Sequence, residues 1–150
     1  MKKLVVLLAV VAGISGLVSI PIYSASVEAS EAAAARVPLE NYIQGHATGN
    51  GDFMRKAFHT EAKVMAFRDG KLTNLTSEEF ASRFNGKPAA DEAQRKRRIE
   101  NVEITGNAGV AKIVLDYPTV TFTDYMSLLK VGEEWKIVNK VFYAEPKAKP

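Results

Sequence analysis

Apolar residues recur at helical spacing through the first half of the chain and alternate with polar ones through the second. Residues 30–36 are alanine-rich with Glu31 near their start, a good opening for a helix. Pro38 interrupts them, and because proline is best tolerated in a first turn, the main helix is expected to restart there. Leu39, Tyr42, Ile43 and His46 then fall at i, i+3, i+4 and i+7, one stripe of an amphipathic helix. The stretch Thr48-Gly49-Asn50-Gly51 ends it. Asp52 is the expected N-cap of a short second helix carrying Phe53, Met54, Ala57 and Phe58 and stopping near His59.

Residues 62–68 set Val64 and Ala66 against Met65 and Phe67, the alternation of a strand. Asp69-Gly70 is a strong hairpin signal, returning the chain through residues 72–75. Thr76 or Ser77 caps a third helix, with Glu79 or Glu78 completing a capping box. Phe80 and Phe84 sit on one face of it, and Asn85-Gly86 is the expected end. After a polar loop at 87–92, four strands follow at 99–105, 108–117, 120–131 and 135–143. Gly106-Asn107, Pro118 and Gly132-Glu133 separate them. Helices followed by a sheet predict an α+β fold: three N-terminal helices packed on a strongly curved, mostly antiparallel sheet around an apolar central pocket. Its expected core is Leu39, Ile43, Phe53, Phe58, Phe80, Phe84, Ile113, Leu115, Trp135, Ile137, Val138 and Phe142.

The start of the chain reads differently. Met1-Lys2-Lys3 is a positive n-region, residues 4–20 are almost wholly apolar, and Ser24-Ala25-Ser26 and Val27-Glu28-Ala29 are both acceptable cleavage sites. This is the layout of a secretory signal peptide over residues 1–29, with an uncleaved membrane anchor as the alternative. Either way the domain, residues 30–146, is expected outside the cytoplasm, periplasmic or secreted, followed by a flexible tail at 147–150. Cleavage after Ala29 leaves 18 basic and 16 acidic residues, a net charge of +2. So small a charge points to solubility and away from a nucleic-acid partner. The basic run Arg95-Lys96-Arg97-Arg98 lacks interleaved aromatics and reads as a solvated strand edge. With no cysteine and only two histidines, neither a disulfide nor a metal site is expected. Nothing in the chain calls for a cofactor. Gly45 to Gly51 is glycine-rich but lacks the Lys-Ser/Thr of a phosphate loop, and Asn74-Leu75-Thr76 forms a sequon expected to stay unused.

Several stretches carry a family resemblance: Tyr42-Ile43-Gln44-Gly45-His46, Met54-Arg55-Lys56-Ala57-Phe58-His59, Phe67-Arg68-Asp69-Gly70, Asp116-Tyr117-Pro118, Phe122-Thr123-Asp124-Tyr125-Met126 and Trp135-Lys136-Ile137-Val138-Asn139-Lys140. With the order of elements, they resemble the cone-shaped nuclear transport factor 2-like superfamily, in its SnoaL-like, "putative lumazine-binding" branch, over about residues 37–146. The resemblance implies a homodimer built on the outer face of the sheet. It is specific for fold and leaves function open, since the superfamily includes isomerases, cyclases, dehydratases and plain binding modules.

In a cone-shaped fold the first helix lines the cavity, so Tyr42 and His46 would project into it one turn apart. A buried imidazole can act as acid or base near neutral pH, and a tyrosine hydroxyl can donate to an oxyanion. The alternative for His46 is a core histidine bonded to a backbone carbonyl, and for His59 a helix-end cap. Alternation places Phe122, Asp124, Met126 and Leu128 on one face of their strand. If that face is concave, Asp124 is a carboxyl in apolar surroundings with a raised pKa; if convex, it is solvated. Asn139 and Asp116 carry the same ambiguity. Ketosteroid-isomerase-like members ask for a tyrosine and a carboxylate in one cavity, and Tyr42 and Asp124 supply those types without aligning to that motif. The expected pocket residues are therefore Tyr42, His46, Phe58, Asp124 and Asn139. Two readings stand. One is an exported module that binds a small, largely apolar molecule or serves as a dimeric accessory domain, with no stable membrane contact once the leader is cleaved. The other is a small isomerase, cyclase or dehydratase using Tyr42, His46 and Asp124 in general acid–base catalysis.

Overall fold

A computed structural model describes residues 22–148, with side chains from residue 28. The apolar part of the expected leader lies outside the described residues. The elements run α1 (Ile22–Thr48), α2 (Gly51–Ala57), β1 (Phe58–Arg68), β2 (Lys71–Thr76), α3 (Ser77–Ala81), a 3-10 turn at Glu92–Gln94, β3 (Lys96–Thr105), β4 (Ala108–Asp116), β5 (Val120–Val131) and β6 (Glu134–Pro146). One six-stranded, curved, unclosed sheet has the order β2-β1-β6-β5-β4-β3, and the three helices pack on one face. All neighbours pair antiparallel except β1 and β6, which are parallel. Among the described residues no helix is long and apolar enough to cross a membrane.

The first helix does not restart at Pro38. It runs unbroken through it, and Pro38 is buried. Interior proline costs a helix about 3 kcal/mol, so packing on both sides must outweigh it. Towards the N-terminus Glu31 accepts from Lys130 at 2.6 Å and from the Trp135 indole at 3.0 Å. Towards the C-terminus Leu39 and Tyr42 are wholly buried. Asn50 rather than Asp52 caps α2, its side chain accepting from the Asp52 N–H at 2.9 Å. That helix ends at Ala57 because Phe58 already has extended backbone and opens β1. His59 caps nothing there; its Nδ1 accepts the Glu61 N–H at 3.2 Å. The capping box of α3 forms between Thr76 and Glu79. That helix stops at Ala81, ahead of Asn85-Gly86, and Gly86 N–H bonds instead to the Gly49 carbonyl at 2.7 Å.

The core lies between α1 and the sheet. Leu39, Phe58, Ile113, Leu115, Trp135 and Ile137 are buried in it, and Ile43, Phe80, Phe84 and Phe142 pack against it half-buried. Phe53 sits at the edge instead, under the Lys56 ammonium, and Val138 is only half-buried. The reason for the latter is a bulge. Ser127 pairs with Asn139 and Leu128 with Ile137, leaving Val138 as an extra residue in β6. One inserted residue reverses which face every later side chain takes. Trp135 and Ile137 point at the helices. Beyond the bulge it is Lys140 and Phe142 that do so, and Asn139 and Val141 turn outward.

Candidate functional site

Three side chains from distant parts of the chain meet at the centre of the cone. Tyr42 comes from the buried stripe of α1, Asp124 from β5 and Lys140 from β6. Asp124 pairs with Phe142 and Met126 with Lys140, so Asp124 and Lys140 are diagonal neighbours on the inner face. The Tyr42 hydroxyl donates to Asp124 Oδ2 at 2.6 Å, and Lys140 Nζ donates to that hydroxyl at 2.9 Å. Lys140 Nζ also stands 2.9 Å from Asp124 Oδ1, a charge contact whose angle leaves Oδ1 without an aligned hydrogen bond. Tyr42 and Asp124 are 0% exposed and Lys140 3%. The face of β5 carrying Asp124 is thus the inner one, and its surroundings are a cation and a phenol as well as apolar side chains. Burial, and then the Asp124 charge, push the Tyr42 hydroxyl well above the ordinary tyrosine range. Burial lowers the Lys140 ammonium, with Asp124 opposing.

His46 lies one turn along α1 from Tyr42, its ring edge-on to the phenol at 4.6 Å. Burial, then the charges of Lys140, Arg97 and Arg95, hold its pKa well below the ordinary histidine value, so the imidazole is neutral. Nδ1 makes a long contact of 3.4 Å with the Tyr117 hydroxyl, while Nε2 is buried with no hydrogen-bond partner. The expected alternative, a bond from this ring to a backbone carbonyl, does not form. The Tyr117 hydroxyl accepts from Arg97 Nε at 3.2 Å, and Arg97 is held by both oxygens of Glu92 at 2.6 and 2.7 Å.

Aromatic rings encircle these polar groups. Tyr117 meets Phe122 at 5.8 Å, Phe122 meets Phe142 at 6.0 Å, and Phe80 meets Phe84 at 5.5 Å. Phe84 touches His46 at 5.1 Å, and Lys140 Nζ bridges Phe142 and Phe80 at 4.3 and 5.5 Å from their centres. Phe58 lies deeper, edge-on to Tyr42 at 6.0 Å.

Of the five expected pocket residues, Tyr42, His46, Phe58 and Asp124 come together. Asn139 does not. It lines a concavity of about 390 Å³ on the outer face of the sheet with Tyr125, Ser127 and Val141. Another, of about 450 Å³, lies between α1 and the β5–β6 turn, against Pro38 and Trp135. Neither reaches Tyr42, His46 or Asp124. Lys140 is the site residue that strict alternation misses. Its signal is the doublet Ile137-Val138, which breaks the period and puts Lys140 and Phe142 in phase with Trp135 and Ile137. Asp116 lies apart, accepting from Thr121 and Lys147 near the chain end. Among the described residues, no group of three or more His, Asp or Glu side chains is placed to hold a metal.

Comparison with known proteins accords with this architecture. The nuclear transport factor 2-like protein of Shewanella baltica is 28% identical, with a TM-score of 0.71 over 79% of this chain and 97% of that one. That of Methylobacillus flagellatus is 26% identical, with a TM-score of 0.67 over 77% and 93%. Aldolase FrzH of a Cladobotryum species is 19% identical over 108 residues, 71% of this chain and 85% of that protein. The family described as "Putative lumazine-binding" matches residues 30–143. The chain belongs to that family, within the nuclear transport factor 2-like superfamily.

Proposed function

We propose that the protein is an exported, homodimeric domain that binds one small, largely apolar molecule beneath the aromatic ring of its cone. Family membership supports small-ligand binding. The observation that carries the reading is the buried, unpartnered Nε2 of His46. Leaving such an atom unsatisfied costs about 1–3 kcal/mol, which a ligand atom would recover. The Tyr117 hydroxyl already accepts from Arg97, so its own proton is free for His46 Nδ1. That tautomer puts the imidazole proton on Nε2 and calls for an acceptor, such as a carbonyl oxygen. The faces of Phe80, Phe84, Phe122 and Phe142 suit a small ring or hydrocarbon body. Entry requires these half-buried rings to rotate, a scale of side-chain change common on binding. Export rests on the layout of the first 29 residues.

Mass spectrometry of small molecules released from the protein purified from its host is the direct test. The expected result is one dominant carbonyl-bearing molecule, whose return to the stripped protein shifts the His46 imidazole resonances. Stripped protein whose imidazole stays unmoved across fractions of a host metabolite extract would overturn the reading. A second reading, acid–base catalysis, is favoured by the 2.6 Å and 2.9 Å contacts that join a proton donor, a carboxylate and an amine. The similarity to an aldolase agrees with it. Conversion of the recovered molecule into a second compound by the protein would select it.

A further inference from the structure

Ligand binding alone leaves Lys140 unexplained. Lysine is almost never fully buried unless it is paired, and an apolar residue of the same volume is often neutral or stabilising at such a place. Yet Lys140 stands at the centre of the cone, 2.9 Å from a phenol oxygen and 2.9 Å from a carboxylate oxygen, which are themselves joined at 2.6 Å. An amine beside a base that can take its proton and a hydroxyl that can pass one on is the set that carbonyl condensation requires. The cover over Nζ consists of Phe142 and Phe80, both half-buried rim rings.

We propose that Lys140 captures the aldehyde or ketone group of a small, largely apolar ligand as a protonated Schiff base, with Asp124 and Tyr42 moving the protons. The proposal rests on the cone interior being the ligand site. Asp124 Oδ2 takes the Tyr42 hydroxyl proton while that oxygen takes one from the ammonium, which frees the Nζ electron pair and leaves Tyr42 protonated. Nζ attacks the carbonyl carbon, the C–N bond forms, and the carbonyl π pair moves to oxygen. Tyr42 gives that oxygen its proton and regains one from the nitrogen, leaving a neutral carbinolamine. Protonated Asp124 then gives its proton to the hydroxyl, which departs as water while the nitrogen pair closes the C=N bond. The sum is ammonium plus carbonyl giving iminium plus water, with no oxidant or reductant. The iminium carries the same charge as the ammonium, so ionised Asp124 faces a cation both before capture and after it. Burial lowers the Lys140 pKa, which eases the first proton transfer relative to a surface lysine.

The test uses the whole folded protein, benzaldehyde as probe and cyanoborohydride at about pH 6.5, where ordinary lysines are almost wholly protonated. Reduction fixes each iminium as a benzylamine, and peptide mapping compares Lys140 with the exposed Lys63, Lys71 and Lys96 of the same molecules. Lys140 is expected to label faster than these, because Tyr42 and Asp124 stand within 2.9 Å of Nζ to move its protons and no such pair serves a surface lysine. Labelling no faster than theirs would overturn the proposal. In parallel, the His46 imidazole resonances are followed with benzaldehyde alone. A His46 shift without selective labelling refutes capture by Lys140 and leaves the ligand site standing; neither shift nor selective labelling refutes both. Lys140→Arg keeps the cation but cannot form the imine, so it is expected to lose the label at position 140 while Lys63, Lys71 and Lys96 label as before.

Discussion

Asp124 and Lys140 hold each other in place, and the energy of each depends on the other being charged. Asp124→Ala strands an ammonium in the interior, and we expect a loss of about 3–5 kcal/mol. The double variant Asp124→Leu, Lys140→Met removes both charges, so it should lose clearly less than the sum of the two single changes. Urea titration of the four proteins measures the coupling, and strict additivity would contradict the pairing. His46 makes a prediction in pH. Its folded pKa lies well below the ordinary histidine value, so the unfolded chain binds the proton more readily. The His46 contribution is therefore full above about pH 6.5 and is lost as the pH falls from there towards the folded value, by up to about 1.4 kcal/mol per unit. His46→Phe should flatten that limb in urea melts between about pH 5 and 7. The carboxylates with lowered values, Glu78 among them at about 2, act only below their ordinary values, which lie under this window.

The turns and caps test how local chemistry sets the elements. Gly70 has φ +73 in the β1–β2 hairpin with nothing within 4 Å of an added Cβ, whereas at Gly49, φ +67, a Cβ would stand 1.9 Å from the Lys87 carbonyl oxygen. Alanine at Gly70 should therefore lose only the left-handed backbone penalty, about 1–2 kcal/mol. At Gly49 the loss should be at least about twice that, because backbone must also move. Thermal melts of the two variants separate strain from collision. The hairpin at Asp69-Gly70 and the Thr76–Glu79 box were both legible because turn type and capping depend on residues within four positions of each other. Pro38 was misleading for the opposite reason. The interactions that keep α1 whole around it involve Lys130 and Trp135, far away in sequence.

The outer face of the sheet matters at the scale of the whole molecule. Phe67, Tyr125 and Tyr143 are 71, 53 and 64% exposed, and Val110 and Val141 add to the same surface. Register places Tyr125 opposite Val141 and, across the strand, Lys112. Exposed aromatic and aliphatic side chains on one face are the kind of surface a partner covers, and the proposed homodimer would cover them with a second copy, at about 800 Å² per partner for a stable interface. Sedimentation is expected to give a dimer for the wild type and a monomer for Tyr125→Glu, Val141→Lys. A wild-type monomer at micromolar concentration would remove this part of the proposal.

Much of this architecture was written in the chain itself. The helices-then-sheet order, the hairpin, the capping box, the buried stripe of Tyr42 and His46 and the shared face of Phe122, Asp124, Met126 and Leu128 all follow from periodicity and turn residues. These are properties of neighbouring positions, and local sterics and hydrogen bonding suffice to set them. What only the tertiary structure decided is which face of the sheet meets the helices and how the phase of β6 is reversed at Val138. That bulge sends Asn139 outward and Lys140 inward. It is defined by pairing with β5, and the meeting of Tyr42 with Asp124 and Lys140 spans 82 and 98 residues. Contacts at such separations are chosen by packing of the whole core, because burying a charge is tolerable only where its partner is already in place.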